Sequence, residues 1–172
     1  KHFQAKNLPK VELSVGLSSG MMNVGDMGSK FRRSYTVIGN AVNLGARIQS
    51  ATAFYGVDLI ASYNTCKQQD KFVFRLLDKV KLKGKRECET IYEVVGRKEN
   101  ISASKIAEIQ EHHQAIAAYF AKNWDLAIQM FANLMQKHPN YKPYNIFYQR
   151  AQHYKQNPPP QNWDGAYTFT AK

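Results

Sequence analysis

The stretch YTVIGNAVNLGARIQ, residues 35–49, changes from one hydrophobic periodicity to another within a few positions. Its first residues alternate as in a β-strand, and the apolar residues that follow recur at the three- to four-residue spacing of an amphipathic helix. This pattern predicts a strand followed by a helix that takes Asn40 as its N-cap and ends at Gly56. The polar residues Asn40, Asn43 and Arg47 lie close to the changeover, with no carboxylate among them.

Asn43 and Arg47 are four residues apart, which places them one turn apart on the same face of the predicted helix. An amide and a five-donor guanidinium that face the same volume suit a phosphate or ribose group. The spacing fits equally an exposed arginine and a cap-proximal asparagine on an ordinary amphipathic helix, so both interpretations stay open at this point. Between them, Gly45 is predicted to allow a close approach of neighbouring backbone.

The composition indicates a globular chain, with 172 residues and 44% hydrophobic content, enough for one domain or one domain with an appendage. No apolar run approaches the roughly 18 residues that cross a bilayer. Cys66 and Cys88 form no motif, which is typical of a protein in a reducing cytosol, so we expect a cytoplasmic location. The chain starts at Lys1, and we expect it to be a piece of a longer protein.

The positive charge is concentrated in the first part of the chain. Residues 1–102 carry 17 Lys and Arg against 9 Asp and Glu, whereas residues 103–172 carry 7 against 4. The first part is therefore predicted to meet an anion. Nucleic acid, nucleotide and acidic lipid all satisfy this balance, so charge alone does not choose among them.

The chain divides into two successive regions with different hydrophobic patterns, the first mainly strand-like and the second helical. Besides the strand of residues 35–39, strands are predicted in VELSVGL (11–17), VDLIAS (57–62), FVFRLLDKVKL (72–82) and TIYEVVG (90–96). From about Ile101 onward the pattern is helical, in EIQEHHQAIAAYFAKN (108–123), in WDLAIQMFANLMQKHP (124–139) and in a third helix that ends at Asn157. The last stretch, QNWDGAYTFTAK, is too short for a domain, and we expect it to dock or fray.

The run from Ser14 to Ser62, with VKLKGKRECETIYEVVG (80–96) after it, closely resembles the C-terminal half of the catalytic domain of class III adenylate and guanylate cyclases. The resemblance implies a partial, ferredoxin-like α+β fold with a mostly antiparallel sheet, which works as a head-to-tail homodimer. It divides the chain into a linker (1–10), the cyclase half (11–98), a helical extension (99–157) and a C-terminal tail (158–172).

The resemblance also assigns roles to four residues. Asn43 falls on the family's ribose-orienting asparagine, and Arg47 falls on the arginine that stabilises phosphate charge in the transition state. Thr36 falls on the position that reads the purine edge, where threonine favours ATP over GTP, and Lys83 falls on the lysine that contacts the terminal phosphates. The alternative for Lys83 is a solvated strand lysine within a basic cluster.

The family's catalytic metal ions are not accounted for by this sequence. The resemblance implies two Mg²⁺ or Mn²⁺ ions held by two aspartates in the first half of the domain, and neither aspartate motif is present. Asp26, Asp58, Asp70 and Asp78 lie in other contexts, so we assign no metal ligand. We expect this chain to be inactive alone and the full-length protein to convert ATP to 3′,5′-cyclic AMP and diphosphate.

The helical region has a resemblance of its own. AAYFAKNWDLAIQMFANLMQKHP (117–139) has small and aromatic residues near the spacing of one tetratricopeptide-type hairpin, with Ala127, Phe131 and Pro139 in suitable places. Because one such unit does not bury its apolar face unaided, we expect it to pack on the cyclase half or on the last helix, with a protein partner as a further expectation. The ending, with Tyr144, Arg150, the PPP run (158–160) and NWDGAY (162–167), resembles the C-terminal extension of bacterial cyclases that carry an N-terminal membrane-anchored sensor, which implies a full-length protein at the inner membrane with this part facing the cytoplasm.

Other features of the sequence bear on alternatives to the cyclase interpretation. The glycines of residues 16–28 precede no GK[ST] motif, so a hairpin is favoured over a phosphate loop. His112 and His113 are adjacent on a helix and point in different directions, which disfavours a metal site. A non-catalytic, cyclase-like module that recruits a partner through residues 103–172 is the alternative function. A nucleic-acid binder is disfavoured because the basic cluster of residues 79–85 has few interleaved aromatics.

Overall fold

The computed structural model describes residues 13–81 and 88–169, and within them it shows an α+β fold. This confirms the predicted fold class. The strands are β1 (Val15–Leu17), β2 (Asn23–Gly28), β3 (Arg33–Ile38), β4 (Leu59–Ser62), β5 (Phe72–Lys81), β6 (Glu89–Arg97) and β7 (Tyr167–Thr168). The helices are α1 (Asn40–Tyr55), α2 (Tyr63–Cys66), α3 (Ala103–Phe120), α4 (Trp124–Lys137) and α5 (Lys142–Gln156), with a 3-10 turn at Lys98–Asn100.

Five strands form a mixed sheet in the order β1-β4-β6-β5-β7, and β2 and β3 form a separate antiparallel hairpin. The two central pairings, β4 with β6 and β6 with β5, are antiparallel. The outer pairings, β1 with β4 and β5 with β7, are parallel. The glycine-rich stretch before α1 therefore contributes to a hairpin, as its sequence predicts.

Helix α1 covers the sheet and buries the apolar stripe that its sequence predicts. Leu44, Ile48 and Tyr55 pack with Ile60 and Leu77 of the sheet in one core, because the helical spacing places them on one face. Burial of such a side chain stabilises the fold by about 1.5–3 kcal/mol. This core fixes which face of α1 remains toward solvent.

The two ends of α1 differ in how well the sequence predicts them. The helix ends at Gly56, whose φ of 67° is left-handed, as predicted. Asn40 is not the N-cap: it is the first helical residue, and Gly39 occupies the cap position without a side-chain hydrogen bond. The reason is that the amide of Asn43 bonds to the carbonyl of Gly39, so the first turn closes one residue earlier than expected.

The close approach predicted at Gly45 depends on a different glycine. A Cβ at Gly45 would make only ordinary contacts, 3.6 Å from the carbonyl oxygen of Gly16. A Cβ at Gly16 would instead overlap the carbonyl oxygen of Gly45 and the amide nitrogen of Gln49. Gly16 on β1 is therefore the residue that lets α1 lie against the sheet.

The helices α3, α4 and α5 share a second core, which includes Ala127, Phe131 and Phe147. Ser102 and Asn123 cap α3 and α4 by accepting hydrogen bonds from backbone amides. The chain then returns to the sheet, where β7 pairs with Val80 and Lys81 of β5. The last stretch therefore docks on the sheet, which is one of the two outcomes that we expected for it.

Candidate functional site

The hairpin before α1 carries the first of the predicted site residues. Thr36 lies on β3 opposite Gly25 of β2, and its side chain is exposed. The hairpin leaves apolar side chains in solvent, with Phe31 fully exposed and Tyr35 75% exposed. Thr36 is thus accessible to a ligand, and it precedes the first residue of α1 by four positions.

Helix α1 places two of the predicted residues one turn apart. Asn43 is exposed and Arg47 is half-buried. Their neighbours Leu44 and Ile48 face the core, so the register of the helix is fixed by burial. The amide of Asn43 and the guanidinium of Arg47 therefore belong to one face of α1, as the spacing predicts.

Lys83, the fourth predicted site residue, lies outside the described residues. The residues on either side of that segment share a partner in the C-terminal tail, namely Asp164. Lys81 forms a 2.9 Å ion pair with Asp164 Oδ2, and the thiol of Cys88 donates to the same oxygen at 3.0 Å. These two hydrogen bonds, the larger contribution coming from Cys88, hold the pKa of Asp164 well below its ordinary value. Asp164 belongs to the NWDGAY stretch (162–167), for which the sequence predicts no contact with these residues.

A buried carboxylate lies between α1 and the C-terminal extension. Asp78 accepts a 2.5 Å hydrogen bond from the Tyr55 hydroxyl and a 2.6 Å hydrogen bond from Arg150 Nη1. Its other oxygen accepts from the backbone amide of Lys79 at 2.8 Å. Burial raises the pKa of Asp78, and the charge of Arg150 and the hydrogen bond from Tyr55 oppose that effect. The carboxylate joins three elements, β5, α1 and α5.

A second buried charge, Arg75, joins the sheet to α3. Its guanidinium lies 3.1 Å from the Glu108 carboxylate and 3.5 Å from that of Glu93. The Tyr141 ring centre is 4.1 Å from the guanidinium carbon, and the Tyr144 hydroxyl donates to Glu108 at 2.7 Å. The signal for both buried charges is visible in the sequence, because each lies within the apolar strand FVFRLLDKVK.

The adjacent histidines of α3 hold the backbone of β5. His112 Nε2 lies 2.6 Å from the carbonyl of Leu76 and must donate to it, whereas His113 Nε2 accepts from the amide of Leu76 at 3.0 Å. The two rings are therefore in opposite tautomers. Burial lowers the pKa of His112 to about 3 and also lowers that of His113.

The described residues contain neither a cluster of three or more metal-ligating side chains nor a membrane-spanning helix. Among them, no group of three or more His, Cys, Asp or Glu side chains could hold a metal ion. None of the helices in the described part of the chain is long and apolar enough to cross a membrane. The predicted site residues on α1 and β3 are an exposed amide (Asn43), an exposed hydroxyl (Thr36) and a half-buried guanidinium (Arg47), which are groups that suit a phosphorylated ligand.

An α+β domain with these groups on one helix and the preceding hairpin matches a known class of enzyme domain. The family model for the "Adenylate and Guanylate cyclase catalytic domain" matches residues 1–95, more than half of the chain. The chain therefore belongs to the adenylate and guanylate cyclase catalytic domain family.

Three relatives illustrate the likeness. The terminal-differentiation specific adenylate cyclase of Dictyostelium discoideum is 31% identical over 145 residues, which cover 81% of this chain and 7% of that protein. An adenylate cyclase of Anabaena cylindrica is 37% identical over 91 residues, 51% of this chain and 18% of that protein. The crystal structure of the adenylyl cyclase CyaB from P. aeruginosa aligns with a TM-score of 0.49 at 27% identity, over 59% of this chain and 52% of that chain. This chain thus spans a small fraction of the curated relatives.

Proposed function

We propose that this chain is the C-terminal part of an adenylate cyclase catalytic domain, which converts ATP to 3′,5′-cyclic AMP and diphosphate. The observation that carries the proposal is the arrangement of Asn43 and Arg47, one turn apart on α1 and outside the stripe that packs in the core, in a chain of the cyclase family. Thr36, on the strand that precedes this helix, reads the adenine edge.

The chemistry requires what these residues supply. Cyclisation needs the ribose 3′-oxygen to attack the α-phosphorus in line while diphosphate leaves, so negative charge develops on both groups. Arg47 offsets that charge, and removal of one such donor from a water-excluded site typically costs about 3 kcal/mol of transition-state stabilisation. Asn43 orients the sugar, which lowers the entropic cost of an aligned attack. Lys83 remains a predicted contact to the terminal phosphates.

Among the described residues, no group of three or more His, Cys, Asp or Glu side chains could hold the two Mg²⁺ or Mn²⁺ ions that the family resemblance implies. We propose that residues outside this chain hold the ions and that the 172-residue chain alone has no cyclase turnover. In this proposal the active form is a homodimer of the full-length protein. That protein is anchored at the inner membrane, and its catalytic domain lies in the cytoplasm.

The test is a cyclic AMP assay with ATP and Mn²⁺ on two preparations, the 172-residue chain and the natural full-length polypeptide that contains it. We expect turnover from the full-length polypeptide and none from the chain alone, with ATP preferred over GTP. Turnover by the isolated chain would contradict the assignment of the metal site, and a full-length polypeptide without turnover would contradict the cyclase assignment.

A further inference from the structure

The last turn of α1 lies against the C-terminal extension at two separate contacts. Lys142, the first residue of α5, donates through Nζ to the carbonyl of Ala53 at 3.2 Å. That carbonyl is one of those that a helix end leaves without an intrahelical partner. The ring of Phe54 stacks on the ring of Tyr167 in β7, with centroids 5.7 Å apart and an interplanar angle of 21°. Residues far along the chain thus cover the end of the helix.

A third contact is buried and charged. Tyr55, the last residue of α1, donates to the same Asp78 oxygen that accepts from Arg150 Nη1. All three side chains are largely removed from water, with Tyr55 and Asp78 at 0% and the Arg150 side chain at 11% exposure. Charged hydrogen bonds in such surroundings are stronger and more directional than those at a surface.

The guanidinium of Arg150 has a fixed orientation because aromatic rings surround it. Its carbon lies 3.5 Å from the ring centre of Tyr167, 5.4 Å from that of Phe147 and 5.7 Å from that of Phe54. A planar cation held between rings has few alternative rotamers. The positive charge that compensates the Asp78 carboxylate therefore approaches it from one defined direction.

Helix α1 transmits this constraint to the candidate site. Arg47 and Tyr55 are eight residues apart on a continuous helix, a rise of about 12 Å. Leu44 in the first half of the helix and Tyr55 at its end both pack in the core with the sheet, so a shift of the last turn would change the direction of the helix on which Asn43 and Arg47 lie. A misplacement of about 1 Å is enough to reduce the rate of an aligned reaction strongly.

We propose that Arg150 is a positioning residue for the cyclase reaction, acting through Asp78 and Tyr55 on the helix that carries Asn43 and Arg47. This inference rests on the proposed function. It gives the C-terminal extension a role within the catalytic unit, as the part that fixes α1, rather than that of a separate appendage.

The test compares three variants by hydrogen–deuterium exchange of the 172-residue chain and by cyclase kinetics of the full-length polypeptide. Arg150→Met removes the charge, and Tyr55→Phe removes only the hydroxyl that α1 contributes. Lys155→Met is the matched control, because it removes another cation of α5 whose partner, Asp125, lies within the extension. A structural role alone would raise exchange evenly, so the distribution along the chain decides.

We expect Arg150→Met to raise the amide exchange rates of residues 47–55 by at least about tenfold relative to those of α4. Tyr55→Phe should raise the rates of the same residues by a smaller factor. We also expect the kcat of Arg150→Met to fall about tenfold at nearly constant KM for ATP, whereas Lys155→Met changes neither quantity.

If Arg150→Met does not fold, the result for Tyr55→Phe decides. Wild-type exchange across α1 in a folded variant would overturn the proposal. If the wild-type enzyme has no turnover, the proposed function fails, and the positioning role in the reaction fails with it.

Discussion

The guanidinium of Arg150 donates a 2.6 Å hydrogen bond to the carboxylate of Asp78, and the two residues are 72 positions apart in the chain. One belongs to the helical extension and the other to the central part of β5. Because the pair is buried, each charge depends on the other for compensation. The extension is therefore bound to the cyclase half by charge as well as by apolar packing.

The first prediction concerns this pair. Asp78→Asn leaves Arg150 without its counter-charge, and loss of one partner of a buried pair typically costs about 3–5 kcal/mol in the free energy of unfolding. We expect a large decrease in the urea midpoint, measured by circular dichroism. Asp125→Asn is the control, since the Asp125 side chain is 79% exposed and pairs with an exposed lysine. Equal midpoints for the two variants would show that the pair contributes little.

The second prediction concerns the pH dependence of the Arg75 network. Although burial alone would raise it, the pKa of Glu108 is lowered by hydrogen bonds from Lys105 and Tyr144 and by the charge of Arg75. The contribution of ionised Glu108 to the free energy of unfolding is therefore complete above the unfolded pKa of about 4.3, and it is lost as pH falls through the lower folded pKa. Arg75→Met should therefore lower the free energy of unfolding more at pH 7 than at pH 4.

Urea titrations at the two pH values measure this difference. Arg97→Met serves as the control, because the Arg97 side chain is 60% exposed and lies 3.9 Å from Glu99. We expect the control to change stability little at either pH. A loss in Arg75→Met that is the same at both pH values would mean that Glu108 does not depend on the guanidinium.

The third prediction concerns His112. Burial lowers its folded pKa to about 3, so the unfolded chain binds a proton below about pH 6.5 that the folded protein does not bind. Its contribution lowers stability by up to about 1.4 kcal/mol per pH unit as pH falls from 6.5 toward 3. His112→Gln should make the dependence shallower by about one proton between pH 6 and pH 5. An unchanged slope would contradict the buried, neutral state of the ring.

The fourth prediction concerns the two thiols. Burial, followed by the hydrogen bond to Asp164, raises the pKa of Cys88. Asp164→Asn removes the negative charge and keeps an oxygen that can accept from the amide of Ala166. We expect faster alkylation of Cys88 by iodoacetamide at pH 8, because the thiolate fraction rises. Cys66 is the internal control, since burial raises its pKa to about 11 and should keep it slow in both proteins. An unchanged rate for Cys88 would show that Asp164 does not govern the thiol.

Local periodicity predicted the elements that pack by their own apolar stripes. The bounds of β5 fall within the predicted stretch, and α1 ends at Gly56, because strand alternation and a left-handed glycine are local features. Strand β7 was not predicted, since two residues acquire strand geometry only by pairing with Val80 and Lys81, which lie far away in sequence. The N-cap at Asn40 was wrong because a backbone hydrogen bond to Gly39 decides where the helix starts.

The candidate site, like the secondary structure, was predictable only where it depends on local sequence spacing. The spacing of Asn43 and Arg47 fixes their common helix face, whereas the roles proposed for them come from the family resemblance. The contacts of Arg150 with Asp78 and of Asp164 with Lys81 could not be predicted, because they arise only when the extension folds back on the sheet. Buried charges in an apolar strand, such as Asp78, are the available signal, although they do not reveal their partners.

The measurement that tests the central claim most directly is the kcat of the full-length polypeptide with ATP after Arg47→Met, compared with Arg32→Met in the exposed hairpin loop. If Arg47 offsets phosphate charge in the transition state, kcat falls on the order of 100-fold for Arg47→Met and stays near the wild-type value for Arg32→Met. A folded Arg47→Met enzyme with wild-type kcat would contradict the account.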